Sequence, residues 1–184
     1  MAPFDGSAPN AEALVLRGHA EPDHFKEALA RLAGGLAIVS YWDAGQPQGI
    51  LVSSITGLSV DPPRFLFCVR KQASSHDAFL RTDRCGITIL SRHDEDEAQT
   101  FIQPDLKASR FKGQGWRIDA AEAGLEPAPP LFQHGLSFAD CLISTKIDAG
   151  SHTILIATAM SITVNDGEPL LAFNRALHSL SALG

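Results

Sequence analysis

The sequence predicts a mainly β protein, an antiparallel barrel or sandwich with three short helices, and three features predict it. Its apolar runs are short and bounded by turn-forming residues, six or more of them read as strands, and most are joined by turns instead of helical crossovers. The 184 residues suffice for one domain with a hydrophobic core of its own. Residues 1–20, punctuated by Pro3, Gly6, Pro9 and Gly18, lack periodicity. They are expected to form a mobile or partner-docked arm ahead of a domain at residues 21–184.

Pro22 and Asp23 open the first helix, Phe25, Leu29 and Leu32 recur at helical spacing, and Gly34-Gly35 supplies a stop. Residues 36–42 read as a strand, 43–47 as a turn, and 48–57 as a second strand, followed by a break at Asp61-Pro62-Pro63. Residues 64–70 form the third strand. Ser74-Ser75-His76-Asp77 then resembles a capping box before a short helix through Leu80. Residues 85–90 are the fourth strand, and Ser91 with Asp94 makes another capping box. The carboxylates at 94–97 suit the positive end of the helix dipole that follows. Residues 113–130, rich in Gly, Ala and Pro, read as a loop. Two long strands, 137–147 and 151–164, meet at Asp148-Ala149-Gly150; in the second, even positions are mostly apolar and odd ones small or polar, the pattern of a half-buried strand. A turn at Asn165-Asp166-Gly167 leads to a last strand at 169–173.

The formal charge is −6, from 15 basic and 21 acidic residues, which argues against a nucleic-acid or anionic-membrane partner. No apolar run approaches the roughly 20 residues of a membrane span, and the N-terminus lacks signal-peptide character, so a cytoplasmic protein is expected. Cys68, Cys85 and Cys141 form no Cys-x-x-Cys pair and are expected as reduced, buried thiols. Zinc spacing is missing among the histidines, and the run at 94–97 lacks the ligand spacing of a calcium loop, so no metal is expected. Gly113-Gln114-Gly115 lacks the third glycine of a dinucleotide fingerprint, and Gly135-Leu136-Ser137-Phe138-Ala139 lacks the closing glycine of a nucleophile elbow.

One stretch stands apart, residues 49–63. Ser53 and Ser54 interrupt an apolar strand and break its alternation, which suits either a polar edge strand or a bulge where backbone and hydroxyls face a polar ligand. With Thr56, Ser59 and Asp61-Pro62-Pro63, this stretch resembles the flavin-binding signature of the flavin reductase family, which has the FMN-binding split-barrel fold. The resemblance extends to residues 25–39, to Phe67-Cys68-Val69 with Ser74-Ser75, to Arg110-Phe111 through Trp116, to the turn before His152-Thr153, and to residues 169–173. Leu51, Ser151 and residues 172–178 depart from the family pattern, in which Thr, Asp and a Tyr-containing ending are usual.

The resemblance implies an antiparallel split β-barrel and an NAD(P)H-dependent flavin reductase, passing hydride from NADH or NADPH to FMN or FAD. It also implies a homodimer with the flavin near the subunit interface, and a partner monooxygenase that receives the reduced flavin. The alternative is a non-catalytic flavin-binding electron carrier of the same fold. Ser53, Ser54, Ile55 and Thr56 are expected on the flavin wall, partly through backbone N–H groups. The resemblance places Ser74 and Ser75, with Arg70 and Lys71, at the flavin phosphate, where the residues alone favour a self-satisfied cap at Ser74. Arg110 is a further phosphate or adenylate candidate. His152 is expected beside the nicotinamide, against the plainer reading of a hydrogen-bonded structural histidine. Phe173 is either part of the ring platform or a core residue.

Overall fold

The computed structural model describes residues 19–119 and 127–180, so most of the expected arm lies outside the described residues. Two units are distinguished, one ending at Leu32 and the other beginning at Ala33. In the first, helix α1 (Pro22–Ala30) starts on a proline and carries Asp23 in its first turn, where the carboxylate suits the dipole. Gly34-Gly35 does more than stop that helix: the pair is a two-residue strand, β1 (Gly34–Gly35), at the start of the second unit.

The second unit is built on strands β2 (Ala37–Asp43), β3 (Gln46–Val52), β4 (Thr56–Ser59), β5 (Arg64–Arg70), β6 (Arg84–Ile89), β9 (Ser137–Ala149) and β10 (His152–Val164). They form one antiparallel sheet in the order β3-β2-β6-β9-β10-β5-β4. Its edge strands, β3 and β4, are neighbours in the chain. Six antiparallel pairings in succession leave those two strands running the same way, so they are halves of one strand that bonds first to β2 and then to β5. The link at residues 53–55 spans about 14 Å at most, from Cα 52 to Cα 56, so the two edges of the sheet must curl toward each other. The expected single strand at 48–57 is therefore two, and the break falls at the two serines.

Strand β2 is buried on both faces, which accounts for its unbroken apolar run. Ala37, Val39 and Tyr41 fill the barrel interior with Phe67, Phe79, Ile87 and Leu155. Leu36 and Ile38 pack outward with Phe101, Phe132 and Leu170. Phe101 comes from helix α3 (Glu95–Ile102), preceded by a single 3₁₀ turn (Arg92–Asp94) whose Ser91–Asp94 capping box is present as expected. Residues 113–130 are not all loop: β7 (Trp116–Arg117) pairs with β8 (Leu131–Phe132).

Strand β10 reverses the plain expectation from its pattern. Its buried residues are the odd ones, Thr153, Leu155 and Ala157, while Ile154 and Ile156 face outward and are half-covered. The interior already holds the rings of Tyr41, Phe67 and Phe79, which leaves room for small side chains opposite them. Register shifts at 156/157 and 159/161 also break the alternation, so it cannot describe one face along the whole strand.

Two hairpin turns use left-handed backbone at both central residues: Ala44-Gly45 before β3, and Asn174-Arg175 between β11 (Leu170–Phe173) and β12 (Ala176–Ser179). The second contains no glycine, and its strand β12 is absent from the sequence reading. With β1, these strands make a three-stranded sheet in which Gly34 pairs with Ala172. Among the described residues, no helix is long and apolar enough to cross a membrane.

Candidate functional site

The break between β3 and β4 forms one wall of a cleft of about 330 Å³. Leu51, Val52, Ser53 and Ser54 line that wall; Cys68, Val69 and Arg70 from the end of β5 line the second, with Ala73 and Ser75 from the next loop; His152, the first residue of β10, completes it. The local fold follows from close packing. A Cβ on Gly34 would stand 3.2 Å from the Ser53 carbonyl oxygen, a tight contact, so glycine lets β1 lie near the break without displacing it. The Ser53 and Ser54 side chains are exposed to the cleft.

The loop after β5 is folded by backbone bonds, Ala73 N–H to the Arg70 carbonyl and His76 N–H to the Ala73 carbonyl, both at 3.0 Å. It leads to helix α2 (His76–Arg81). The expected capping box is not formed there: Ser75 occupies the cap position with no side-chain cap bond, and Ser74 has no side-chain partner among the described residues. Both hydroxyls are thus uncommitted. A buried contact, His76 Nε2 to Thr153 Oγ1 at 2.9 Å, fastens this loop to β10 one residue beyond His152.

The two expected cations part company. Arg70 has no side-chain partner among the described residues and borders the cleft. The Lys71 ammonium instead donates to both Asp148 carboxylate oxygens, at 2.8 and 2.7 Å. Those bonds, then the Gly150 N–H at 2.9 Å, hold the Asp148 carboxyl below the usual carboxylate range. With Lys71 N–H donating to the Ser151 carbonyl, they anchor the β9–β10 turn. His152 rides on that turn, its Nδ1 2.9 Å from Ser151 Oγ, and Nε2 has no partner among the described residues. Arg70 and His152 also border a second cleft of about 470 Å³ with Lys71, Gln72, Gly150 and Ser151.

The structure brings together Ser53, Ser54, Arg70, Ser75 and His152. Ser74 adjoins them in sequence without lining the cleft. Ile55 packs against the barrel interior, and Thr56 is paired with Leu66 in the sheet. Arg110 lies elsewhere: its Nε and Nη2 donate to the Thr100 and Phe101 carbonyls at 2.8 and 3.1 Å. Phe173 is on the outer part of β11, ring to ring with His178 at 5.9 Å. Leu51, which stands where the family usually has Thr on the flavin wall, lines the cleft; Cys68, expected as a buried thiol, is half-buried and lines it too, and Ala73 is a lining residue the sequence does not announce. Period-two alternation puts Cys68 on the face of Arg70, a signal present in the sequence.

The fold defines a split-barrel protein, and the cleft at its strand break is the candidate site. Residues 29–181 match the family described as "Flavin reductase like domain", and the chain belongs to that family. It is 27% identical over 157 residues to "FMN reductase (NADH) RutF" of Pseudomonas syringae pv. syringae (strain B728a), covering 85% of each chain. Another relative, from Rhizobium meliloti (strain 1021), is 29% identical over 137 residues, 74% of this chain but 42% of that longer protein. Among solved structures, the flavin reductase domain protein from Arthrobacter sp. FB24 superposes with a TM-score of 0.76 at 25% identity, covering 89% of this chain and 98% of that one.

Proposed function

We propose that the chain is an NADH-dependent flavin reductase that binds FMN in the Ser53 cleft and passes reduced flavin to a partner monooxygenase. The observation that carries this reading is the donor set of one cleft: an apolar wall of Leu51, Val52 and Val69, a Ser54 hydroxyl held by one long bond of 3.5 Å to the Cys68 carbonyl, and, with no side-chain partner among the described residues, the hydroxyls of Ser53 and Ser75 and the guanidinium of Arg70. A flat ring system with a phosphate at one end fits that set. Arg70 and the Ser74–Ser75 hydroxyls would hold the phosphate, and the Ser53–Ser54 backbone would meet the polar edge of the ring. When bound, flavin supplies the hydride-accepting chemistry, and the protein supplies position and exclusion of water.

His152 stands between the two clefts, with Ser151 fixing Nδ1 and leaving Nε2 to a second ring entering from the Lys71 side. The role assigned to it is to orient the nicotinamide. The Lys71–Asp148 pair holds the turn that carries it.

The active form is a homodimer in this reading. Residues directly opposite one another across β9, β10 and β5 share a face, so Ile147, Ile154 and Cys68 form one row. Thr145, Ile156 and Leu66 form the next. Ile147 is 45% exposed and Leu142, further along, 42%. A second copy would cover this apolar face. The adjoining row is Ala149, His152 and Arg70, so the same copy would wall the cleft. All three cysteines are free, in keeping with a reducing cytoplasm. The test is NADH oxidation with and without added FMN. Turnover that depends on FMN is expected, and no turnover at saturating FMN overturns the reading.

A further inference from the structure

A separate cleft of about 280 Å³ opens at the start of β3, between Gln46, Pro47 and Gln48 on one side and Lys107, Arg110, Phe111 and Lys112 on the other. Three cations and no carboxylate line it, in a chain whose net charge is −6. We propose that this cleft binds the phosphate-bearing end of a nucleotide. The inference rests on this cleft's own residues; only the FMN control in its test rests on the flavin reading of the Ser53 cleft.

Arg110 is built in. Besides its two bonds to the last turn of α3, its Cζ lies 4.9 Å from the centre of the Phe101 ring. The guanidinium is therefore fixed in orientation, and Nη1 remains available to a ligand oxygen. The turn that carries it is also rigid. Phe111 adopts left-handed backbone at φ 63, and its ring packs 5.7 Å from Phe101 and 4.5 Å from Trp116, centre to centre.

Around that fixed cation stand two lysines and two glutamines with no side-chain partner among the described residues. The cleft thus offers many donors and little acceptor capacity beyond the Gln46 and Gln48 carbonyls. A ligand with several anionic oxygens satisfies it, and a dianionic phosphate ester is the common biological group of that kind. Attraction by Lys107 and Lys112 adds to the fixed Arg110 contact, because nothing in the cleft offsets their charge.

The test uses the full chain and calorimetric titration with AMP, with adenosine as the phosphate-free control. AMP is expected to bind about tenfold or more tightly than adenosine, and Lys107→Glu with Lys112→Glu to weaken AMP about tenfold while FMN affinity is kept. With the Ser53 cleft filled by saturating FMN, AMP is expected still to bind, which separates this cleft from the Ser53 one. FAD binding that weakens in the double variant identifies the phosphate as part of a flavin dinucleotide; unchanged FAD binding identifies a separate nucleotide. AMP binding no tighter than adenosine, or AMP binding indifferent to the double charge reversal, overturns the proposal.

Discussion

Replacing Thr153 by Val tests the contact that joins the two sides of the candidate site. His76 and Thr153 are 7% and 5% exposed, and their Nε2 and Oγ1 atoms are 2.9 Å apart, so water cannot replace the lost partner easily. Valine keeps the shape of threonine, which confines the change to the hydroxyl. A buried ring nitrogen left without a partner costs about 1–3 kcal/mol. With a urea m-value of roughly 2 kcal/mol/M, the unfolding midpoint should fall by about 0.5–1.5 M at constant slope. The assay is equilibrium urea denaturation of the wild type, Thr153→Val, His76→Leu and the double variant. His76→Leu orphans only a hydroxyl that can rotate, and the double variant removes both polar groups, so the two single effects should not add. A Thr153→Val midpoint within error of wild type, or strict additivity, would refute the contact.

Further outcomes follow from the same geometry. A Cβ on Gly86 would lie 2.5 Å from the Pro130 carbonyl oxygen and 2.6 Å from Ser40 Oγ, so Gly86→Ala should destabilise by about 1–3 kcal/mol in thermal or urea unfolding. Burial pushes the hydroxyl of Tyr41, the one tyrosine of the chain, up to about 12 from 10.0, with the nearby Asp43 charge adding to it. The folded state thus holds this proton more tightly than the unfolded state: its contribution to stability is complete below pH 10.0 and lost as pH rises toward 12. A tyrosinate absorbance titration of the folded protein should show that late midpoint. Arg70→Ala should weaken FMN binding by about tenfold or more, the worth of a charge-assisted contact. His152→Ala should instead raise the NADH KM or slow hydride transfer at near-normal FMN affinity; an unchanged single-turnover rate and KM would remove its assigned role.

Much of the sheet was legible because it rests on local signals. Strand β5 has the bounds read from residues 64–70, and the Ser91–Asp94 cap is as expected, since each depends on residues within one turn or one short run. The break at Ser53–Ser54 was legible as an interrupted alternation, but its purpose was not. Only the pairing order reveals that β3 and β4 are the two edges of one sheet. The inward face of β10 was obscured because its small residues face large rings from β2, β5 and α2, distant in sequence. The separate fates of Arg70 and Lys71 depend on Asp148, which β9 brings to Lys71 across the sheet end. The role of Arg110 was likewise hidden, since the carbonyls it bonds become available only when α3 ends at Ile102. Strand β12 follows a turn of Asn and Arg in left-handed backbone, which the residue types hardly announce.

In the proposed reaction the chain holds flavin in the Ser53 cleft and reduces it with a nicotinamide nucleotide oriented by His152. The most direct measurement mixes FMN-loaded protein with NADH under anaerobic conditions and follows the oxidised-flavin absorbance. Bleaching within a single turnover is expected, slowed in His152→Ala. Flavin that stays yellow with NADH and NADPH, yet bleaches with dithionite, would contradict it and identify a flavin carrier of the same fold.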